Sequence, residues 1–188
     1  MLSELVVVRQ LPRVTSMTVR RLNSTDAAAY QSLRLLGLQE APAAFGASYA
    51  EEAALSPTEV SARISPAADG SLSVFGAFAD QQLVGLLAFM RPVREKLRHC
   101  GLLGGMYVAP DFRRLGYGGA LLDAVLAHAR DVAGVRQVKL TVNATNMSAR
   151  SLYMSRGFVC AGVEPDALCV AGCYYDEEIY FLRFTGIA

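Results

Sequence analysis

Hydrophobic and polar positions alternate with two periodicities along this chain, one typical of strands and one typical of helices. Short apolar or alternating runs predict strands over residues 17–22, 72–79, 83–92, 99–108, 137–142, 158–163 and 174–184. Apolar residues spaced three and four apart predict helices between residues 23–39, 56–66, 116–134 and 146–157, with a helical turn over 48–52. The order of these elements predicts an α/β fold, with helices on both sides of one mixed sheet.

The clearest helical stripe lies in the middle of the chain. One face of the predicted helix carries Leu121, Leu122, Val125, Leu126 and Ala129. A strand precedes this helix and another follows it after a short return, which predicts a parallel, right-handed βαβ unit. His128 lies beside the stripe, and we expect a packed or half-exposed histidine rather than a catalytic one.

Two further expectations concern the ends of the fold. On the first helix, Tyr30, Leu33, Leu36 and Gly37 are expected on the buried side. Near the carboxyl end, a turn is expected at 164–166, followed by a loop over 169–173 that leads into the last strand.

Length and composition favour one domain with a substantial core. The chain has 188 residues, of which 53% are hydrophobic and 19% charged. We expect residues 17–188 to form the domain. Residues 1–16 are expected to be a flexible extension, or to come from an upstream start codon with Met17 as the natural beginning. The net charge of +1 gives no reason to expect a nucleic acid or an anionic membrane as partner. The chain lacks an apolar run of the roughly 20 residues that a spanning helix needs, and we expect a cytoplasmic protein.

The cysteines do not predict a metal site. Cys169 and Cys173 form a loosely spaced pair, and no second pair or nearby histidine completes a zinc site. We therefore expect all four cysteines to be small apolar residues in a reducing compartment, and no bound metal.

The turn between Val108 and the central helix carries the first candidate chemistry. It contains two arginines and three glycines, and the helix begins immediately after it. Glycines let backbone N–H groups face one ligand, and the positive end of the helix dipole favours an anion there. The turn therefore predicts a phosphate or pyrophosphate site. A nucleotide loop of the Gly-Lys-Ser/Thr kind is excluded, because no Gly-Lys pair exists in the chain.

Two ordered motifs resemble the signatures of the GNAT superfamily of N-acetyltransferases. The pattern Arg113-x-x-Gly116-x-Gly118 resembles the coenzyme A loop of that family, R/Q-x-x-G-x-G/A. One helix and one strand later, Asn146-x-x-Ala149-x-x-Leu152-Tyr153-x-x-x-Gly157-Phe158 resembles the second signature. Segments 40–52 and 172–176 also look like one branch of the family, so the resemblance covers about residues 17–184.

The resemblance implies a GNAT-type acyl-CoA N-acyltransferase fold. Its sheet is mostly antiparallel and contains one parallel βαβ unit. It splays between the strand that ends at Val108 and the strand that ends at Asn143. Acetyl-CoA, as cosubstrate, would lay its pantetheine in this gap against the backbone of Met106 and Val108, with Asn146 bonding the arm or capping its own helix. The pyrophosphate would bind the backbone of Arg113, Arg114, Leu115, Gly116, Tyr117, Gly118 and Gly119.

The implied reaction is direct attack of an amine on the thioester in a ternary complex. The backbone N–H of Val108 would be the oxyanion donor, and Tyr153 would be the general acid toward the leaving thiolate. The alternative for Tyr153 is a purely structural role, as a core aromatic residue packed beside Leu152.

The general base is where this chain departs from the family. Many relatives place a glutamate in the strand before the glycine turn, but residues 99–108 contain no carboxylate. Glu40, Glu51 and Asp176 are candidates, directly or through water, and the free amine drawn from solution is another. Tyr107 would instead gate the acceptor side.

The acceptor remains open at this stage. The loops that build the acceptor pocket in this fold carry Glu40, Glu51, Glu52, Glu164 and Asp166. These residues motivate the hypothesis of a cationic amine acceptor, a small molecule or a peptide amino terminus, against the alternative of ordinary surface carboxylates. The chain is thus expected to be an acetyl-CoA-dependent N-acetyltransferase, monomeric or homodimeric. The alternatives are a non-catalytic module that binds CoA or acyl-CoA, and an enzyme for longer acyl chains.

Overall fold

A computed structural model describes residues 16–185, and these residues form one seven-stranded sheet. The strands are β1 Met17–Arg21, β2 Leu72–Ala79, β3 Gln82–Met90, β4 Cys100–Val108, β5 Gln137–Asn143, β6 Val159–Val170 and β7 Cys173–Arg183. Their order across the sheet is β1-β2-β3-β4-β5-β7-β6. Every neighbouring pair is antiparallel except β4 and β5, which are parallel. The predicted mixed sheet with one parallel unit is confirmed.

Five α-helices accompany the sheet in the described part of the chain: α1 Ala27–Glu40, α2 Tyr49–Ala53, α3 Pro57–Ile64, α4 Tyr117–Asp131 and α5 Met147–Met154. Single 3-10 turns cover Ser24–Asp26, Pro42–Ala44, Glu95–Leu97 and Pro110–Phe112. Helices α2 and α3 begin with capping boxes built on Ser48 and Ser56, which satisfy backbone N–H groups of the first turn.

Helices cover both faces of the sheet, as predicted. On one face, Leu121, Leu122, Val125 and Ala129 of α4 are fully buried in a cluster with the inner side chains of β2 to β5. On the other face, α1 and α3 pack a second cluster against β2, β3 and the end of β4. His128 is buried with its ring near Phe75 and Phe89, in line with the packing role expected for it.

The buried stripe of α1 differs from the prediction at one position. Tyr30, Leu33, Gly37 and Leu38 are buried, whereas Leu36 is 44% exposed. Gly37 sets this orientation, because a Cβ at that residue would lie only 3.1 Å from the ring of Tyr107. The interior positions of the helix therefore run 30, 33, 34, 37 and 38, which places Arg34 on the packed side.

The carboxyl-terminal hairpin also corrects the prediction. β6 continues to Val170, through the turn expected at 164–166, and the reversal occurs at Ala171 and Gly172, where φ is +50° and +81°. An irregularity between Glu164 and Leu168 absorbs the turn-forming residues. Inside it, Asp166 has a φ of +51°, and its N–H donates to the Asp176 carboxylate at 3.0 Å.

Strands β4 and β5 separate after a short paired segment, and this separation positions the candidate site. They pair only over Cys100–Leu102 and Gln137–Lys139. Just beyond, Gly105 and Met106 of β4 both stand opposite the single residue Leu87 of β3. This is a β-bulge, and Gly105 in it has a φ of +66°. A bulged strand bends, so β4 and β5 diverge toward their carboxyl ends.

Two sequence expectations remain: the extension over residues 1–16 and the lack of a membrane-spanning helix. The expected extension over residues 1–16 lies outside the described residues except for Ser16, which pairs with Asp80. No helix among residues 16–185 is both long enough and apolar enough to span a membrane.

Candidate active site

The gap between β4 and β5 is a cavity of about 690 Å³. Nine of the residues predicted from sequence line it: Met106, Val108, Arg113, Arg114, Gly116, Gly118, Gly119, Asn146 and Tyr153. Ala41, Ala44 and Phe45 reach it from the segment after α1, and Gly104, Gly105 and Tyr107 from β4. The fold thus brings together two sequence motifs and a third segment that the motifs did not include.

The backbone of Val108 is directed into this cavity. In the antiparallel pair β3–β4, Ala109 donates to Val84 at 2.8 Å, and Val108 stands opposite Gly85. Hydrogen-bonded and non-bonded pairs alternate along such a ladder, so the N–H and C=O of Val108 point away from β3. They point into the gap between β4 and β5, where polar groups of a ligand can form hydrogen bonds with them.

The start of α4 forms the anion-binding end of the cavity. Arg114 and Gly116 have φ values of +62° and +91°, and Gly116 is the residue that caps the helix. Left-handed residues in such a turn direct successive N–H groups to one side, and the first turn of the helix adds its own unpaired N–H groups. A Cβ at Gly118 would meet Met106 at 3.3 Å and Leu152 at 3.4 Å. The absence of a side chain at Gly118 thus keeps the start of α4 open, and backbone N–H groups at a helix start are the kind that can hold an anion.

Two residues of the loop contribute differently from the others. The side chain of Tyr117 is only 2% exposed and packs edge-on against Phe112, at 5.8 Å between ring centres. Leu115 is 43% exposed. Neither residue lines the cavity, so only their backbone atoms are candidates for contact with a ligand.

Tyr153 stands in the cavity wall with its hydroxyl toward β4. It lies on α5, is 6% exposed, and donates a hydrogen bond to the sulfur of Met106 at 3.3 Å. Burial raises the pKa of Tyr153 to about 12. The hydroxyl therefore keeps its proton at neutral pH. A thioether sulfur is a weak acceptor, so a better acceptor can replace it.

Two asparagines organise the opposite rim. Asn146 caps α5, accepting a hydrogen bond from the Ala149 N–H at 3.1 Å, and it also lines the cavity. Asn143, at the end of β5, donates to the Ala43 carbonyl at 3.0 Å and accepts from Thr145. Asn143 thereby ties the segment after α1 to β5. Sequence analysis did not single it out, although an amide directly after a buried strand is a recognisable signal.

Glu40 does not line the cavity itself, but it contacts two residues that do, Arg113 and Tyr107. Arg113 donates to both of its carboxylate oxygens at 2.8 Å, and the Tyr107 hydroxyl donates to one of them. Arg113 also donates to the Val108 carbonyl at 2.9 Å. Desolvation acts to raise the pKa of Glu40, but the hydrogen bonds from Arg113 and Tyr107 outweigh it and leave this pKa below its ordinary value. Desolvation and the contact with Glu40 raise the pKa of Tyr107.

The other carboxylates proposed for an acceptor have diverse surroundings. Glu51 is exposed and closes the capping box of α2 with Ser48. Glu52 is 4% exposed and forms ion pairs with Arg63 and Arg34. Three of the five acidic residues, counting Glu40, are thus engaged within the chain. Among residues 16–185, no group of three or more His, Cys, Asp or Glu side chains is placed to hold a metal ion.

The chain matches one family model and many solved structures. Residues 39–158 match the model of the acetyltransferase (GNAT) family. Comparison with curated protein sequences gives no significant match. One similar solved structure is a GNAT-family acetyltransferase from Streptococcus pneumoniae, with a TM-score of 0.80 and 22% identity, covering 90% of this chain and 100% of that one.

Two further solved structures are similar to this chain. The yncA structure from Salmonella typhimurium contains its cofactor acetyl-CoA; it has a TM-score of 0.75 and 20% identity, covering 93% of this chain and 97% of that one. A ribosomal-protein-alanine N-acetyltransferase from Brucella melitensis has a TM-score of 0.73 and 20% identity, covering 89% of this chain and 99% of that one. The family model spans more than half of this sequence, and the chain therefore belongs to the GNAT family of acetyltransferases.

Proposed function

We propose that this protein is an acetyl-CoA-dependent N-acetyltransferase that acts on a primary amine. The observation that carries the proposal is the union of three features in one cavity: the outward-facing backbone of Val108, the glycine-rich start of α4, and the buried hydroxyl of Tyr153. Acetyl-CoA supplies the activated acyl group as a thioester. The residues of the chain bind it, orient it and stabilise the charges that develop.

The backbone at the end of β4 has two roles in this proposal. The C=O of Val108 and the backbone groups of Met106 pair with the pantetheine amides as a replacement for β5. The N–H of Val108 is the candidate donor to the thioester oxygen as the amine attacks. A fixed donor of this kind contributes about 3–4 kcal/mol to transition-state stabilisation in enzymes where it has been removed.

Tyr153 serves the leaving sulfur as a hydrogen-bond donor. With its pKa near 12, complete proton transfer to a thiolate of pKa about 8.5 costs about 5 kcal/mol. A hydrogen bond from the hydroxyl to the developing thiolate needs no such transfer and still stabilises it. We therefore assign Tyr153 the general-acid position as the hydrogen-bond donor to the departing thiolate, which gains its proton from solvent after release.

Glu40 fits an anchoring role better than that of the base. Both of its oxygens are engaged and its lowered pKa weakens it as a proton acceptor. We infer that the acceptor enters as the free amine or loses its proton to water. Glu40 then fixes Arg113, and with it the loop that leads into α4.

The first experiment measures acetyl-CoA binding by calorimetry with a matched pair of variants. Gly118→Val places a side chain against Met106 and Leu152, and we expect it to abolish binding. Gly162→Val is the control, because a Cβ there meets nothing within 4 Å. Binding that is equal in all three proteins would refute the assigned cofactor site.

The second experiment follows thiol release with a panel of amines. We expect Tyr153→Phe to lower kcat about 100-fold while the Kd for acetyl-CoA changes less than about threefold. Binding of acetyl-CoA by the parent without thiol release from any amine would instead favour the non-catalytic CoA-binding module.

A further inference from the structure

The cavity between β4 and β5 is lined from both layers of the fold. Ala149, Leu152 and Tyr153 of α5 line it, and they pack in the hydrophobic cluster that contains α4. Phe45 and Tyr107 line it as well, and both belong to the cluster on the α1 side of the sheet. The gap between the two strands therefore connects the two faces of the sheet.

The part of the cavity on the α1 side is separate from the start of α4 and from Tyr153. Asn143 belongs to this part, because its side chain bonds the carbonyl of Ala43, and Thr141 lies on the same face of β5 as Asn143. We call this part the acceptor end, and it is lined by Ala41, Ala44, Phe45, Tyr107, Thr141 and Asn143. Acetyl-CoA bound along the start of α4 leaves the acceptor end to the amine.

The charged side chains that line the cavity are all positive. They are Arg113 and Arg114, in the turn that leads into α4. Among residues 16–185, no carboxylate lines the cavity, so none of the acidic residues that suggested a cationic acceptor is a wall residue. Glu40 contacts the Tyr107 hydroxyl, but Arg113 matches its charge. An ammonium group taken from water into this cavity would have no partner, which makes its transfer costly.

The polar side chains of the acceptor end are largely engaged within the chain. The Tyr107 hydroxyl donates to a carboxylate, and the Asn143 amide donates to a backbone carbonyl. The rings of Phe45 and Tyr107 lie beside each other, with 6.3 Å between their centres. With the two alanines of the acceptor end, they leave a mainly apolar surface, which favours an apolar ligand.

On the basis of the function proposed above, we propose that the acceptor is a monoamine with an apolar body, and that Phe45 contacts this body. The amine attacks as the free base, so no charge enters the acceptor end with it. The step forms a bond from nitrogen to the acyl carbon and breaks the bond from that carbon to sulfur. The nitrogen loses a proton to water, and the thiolate leaves. Diamines and polyamines are then poor substrates, because their second ammonium group meets no carboxylate.

The test compares hexylamine with 1,5-diaminopentane. The two chains have the same number of non-hydrogen atoms, and a methyl group in one replaces the far ammonium group of the other. Thiol release gives kcat/KM for each, counted per amino group and corrected for the fraction of free amine. We expect the parent protein to prefer hexylamine about tenfold or more, because only the diamine brings a charge into the cavity.

A carboxylate added to the acceptor end should reduce this preference. Ala44→Asp adds one at an exposed position of the cavity wall, and we expect the preference for hexylamine to fall about fivefold or more. Ala50→Asp is the matched control, because Ala50 is exposed on α2 and does not line the cavity. Its preference should equal that of the parent. Equal preferences in the two variants would contradict the position of the acceptor.

Removal of the Phe45 ring should affect a long amine more than a short one. We expect Phe45→Ala to raise the KM for hexylamine about tenfold and the KM for ethylamine less than about threefold, because the short amine has less carbon surface to bury. The Kd for acetyl-CoA should stay the same, which shows that the cavity keeps its fold. Equal increases in KM for the two amines would contradict the contact with Phe45.

A binding measurement separates failure of this inference from failure of the proposed reaction. With CoA present, calorimetry compares N-hexylacetamide with N-(5-aminopentyl)acetamide, and it needs no turnover. Tighter binding of the uncharged amide supports the inference even if no amine is acetylated. Equal or tighter binding of the charged amide would overturn it, as would equal use of the two amines by the parent. A parent protein that binds no CoA would refute the proposed function and this inference with it.

Discussion

Replacement of Glu40 by glutamine separates an anchoring carboxylate from a catalytic one. The side chain keeps its size but loses its charge, so the paired hydrogen bonds from Arg113 are weakened and the Tyr107 hydroxyl faces a weaker acceptor. A charge-assisted pair of this geometry can contribute about 1.5–3 kcal/mol when shielded from water. The side chains of Arg113 and Glu40 are 45% and 32% exposed, which reduces the expected loss to about 1 kcal/mol.

The kinetic effect of this substitution follows from the contact between Glu40 and Arg113. Arg113 bridges Glu40 and the Val108 carbonyl, so its release loosens the loop that receives the cofactor. A loss of about 1 kcal/mol raises the Kd for acetyl-CoA about fivefold. Because the chemical step does not use Glu40 in this assignment, kcat should change less than about tenfold. Removal of a general base would instead lower kcat about 100- to 10,000-fold.

The assay is saturation kinetics by thiol release, with acetyl-CoA binding measured separately by calorimetry. The pH dependence of unfolding provides an independent check. The pKa of Glu40 is lowered in the folded state, so its contribution to stability is full above its ordinary value of 4.5 and is lost as the pH falls through the folded pKa. The difference between parent and variant should therefore be constant near neutrality and shrink in acid. A kcat reduced more than about 100-fold with unchanged cofactor binding would refute the anchoring role.

Three other predictions concern stability and protonation. Glu52→Gln should lower the free energy of unfolding by about 3 kcal/mol in urea titrations, because it leaves the guanidinium of Arg34 buried beside a neutral group. Glu51→Gln is the control, because Glu51 is exposed and its replacement should cost less. Equal losses in the two variants would contradict a stabilising role of the buried ion pair. Burial lowers the pKa of His128, so the stability that this residue contributes in its neutral form is present above pH 6.5 and is lost as the pH falls through its folded pKa. His128→Gln should accordingly flatten the stability curve between about pH 7 and 5, and parallel curves for parent and variant would argue against this origin. For an alkylamine acceptor with pKa about 10.4, kcat/KM should rise about tenfold per pH unit from pH 6 to 9, and a plateau near pH 7 would point to a protein base instead.

Local motifs predicted residues that the structure brings together around one cavity, and for a physical reason. The glycine turn and the helix that follows it are contiguous in sequence, so spacing alone constrains their geometry. The pair of Arg113 and Glu40 joins residues 73 positions apart, and no local pattern relates them. Sequence could nominate Glu40 as a candidate, but only the packing of α1 against β4 shows which groups occupy its oxygens.

The orientation of α1 shows a second limit of sequence reasoning. Residues 33, 35, 36 and 38 are all leucine, so two helical phases bury nearly the same apolar area. The prediction chose the phase that buries Leu36. Contact between Gly37 and the Tyr107 ring selects the other phase, and this brings Arg34 inward. The partly buried position of Arg34 was therefore concealed by an ambiguity of about one residue in helical phase.

The bulge at Gly105 and Met106 has a consequence for how such a cavity can arise. Side chains alternate along a strand with period two, so one added residue would normally reverse every side chain beyond it. Here the extra residue is absorbed locally. Met106 still faces Tyr153 and Tyr107 still faces α1, while the backbone beyond them is displaced by one position relative to β3. A single inserted residue can thus bend one strand away from its neighbour without changing which side chains face each layer, and we expect deletion of Gly105 to extend the pairing of β4 with β5.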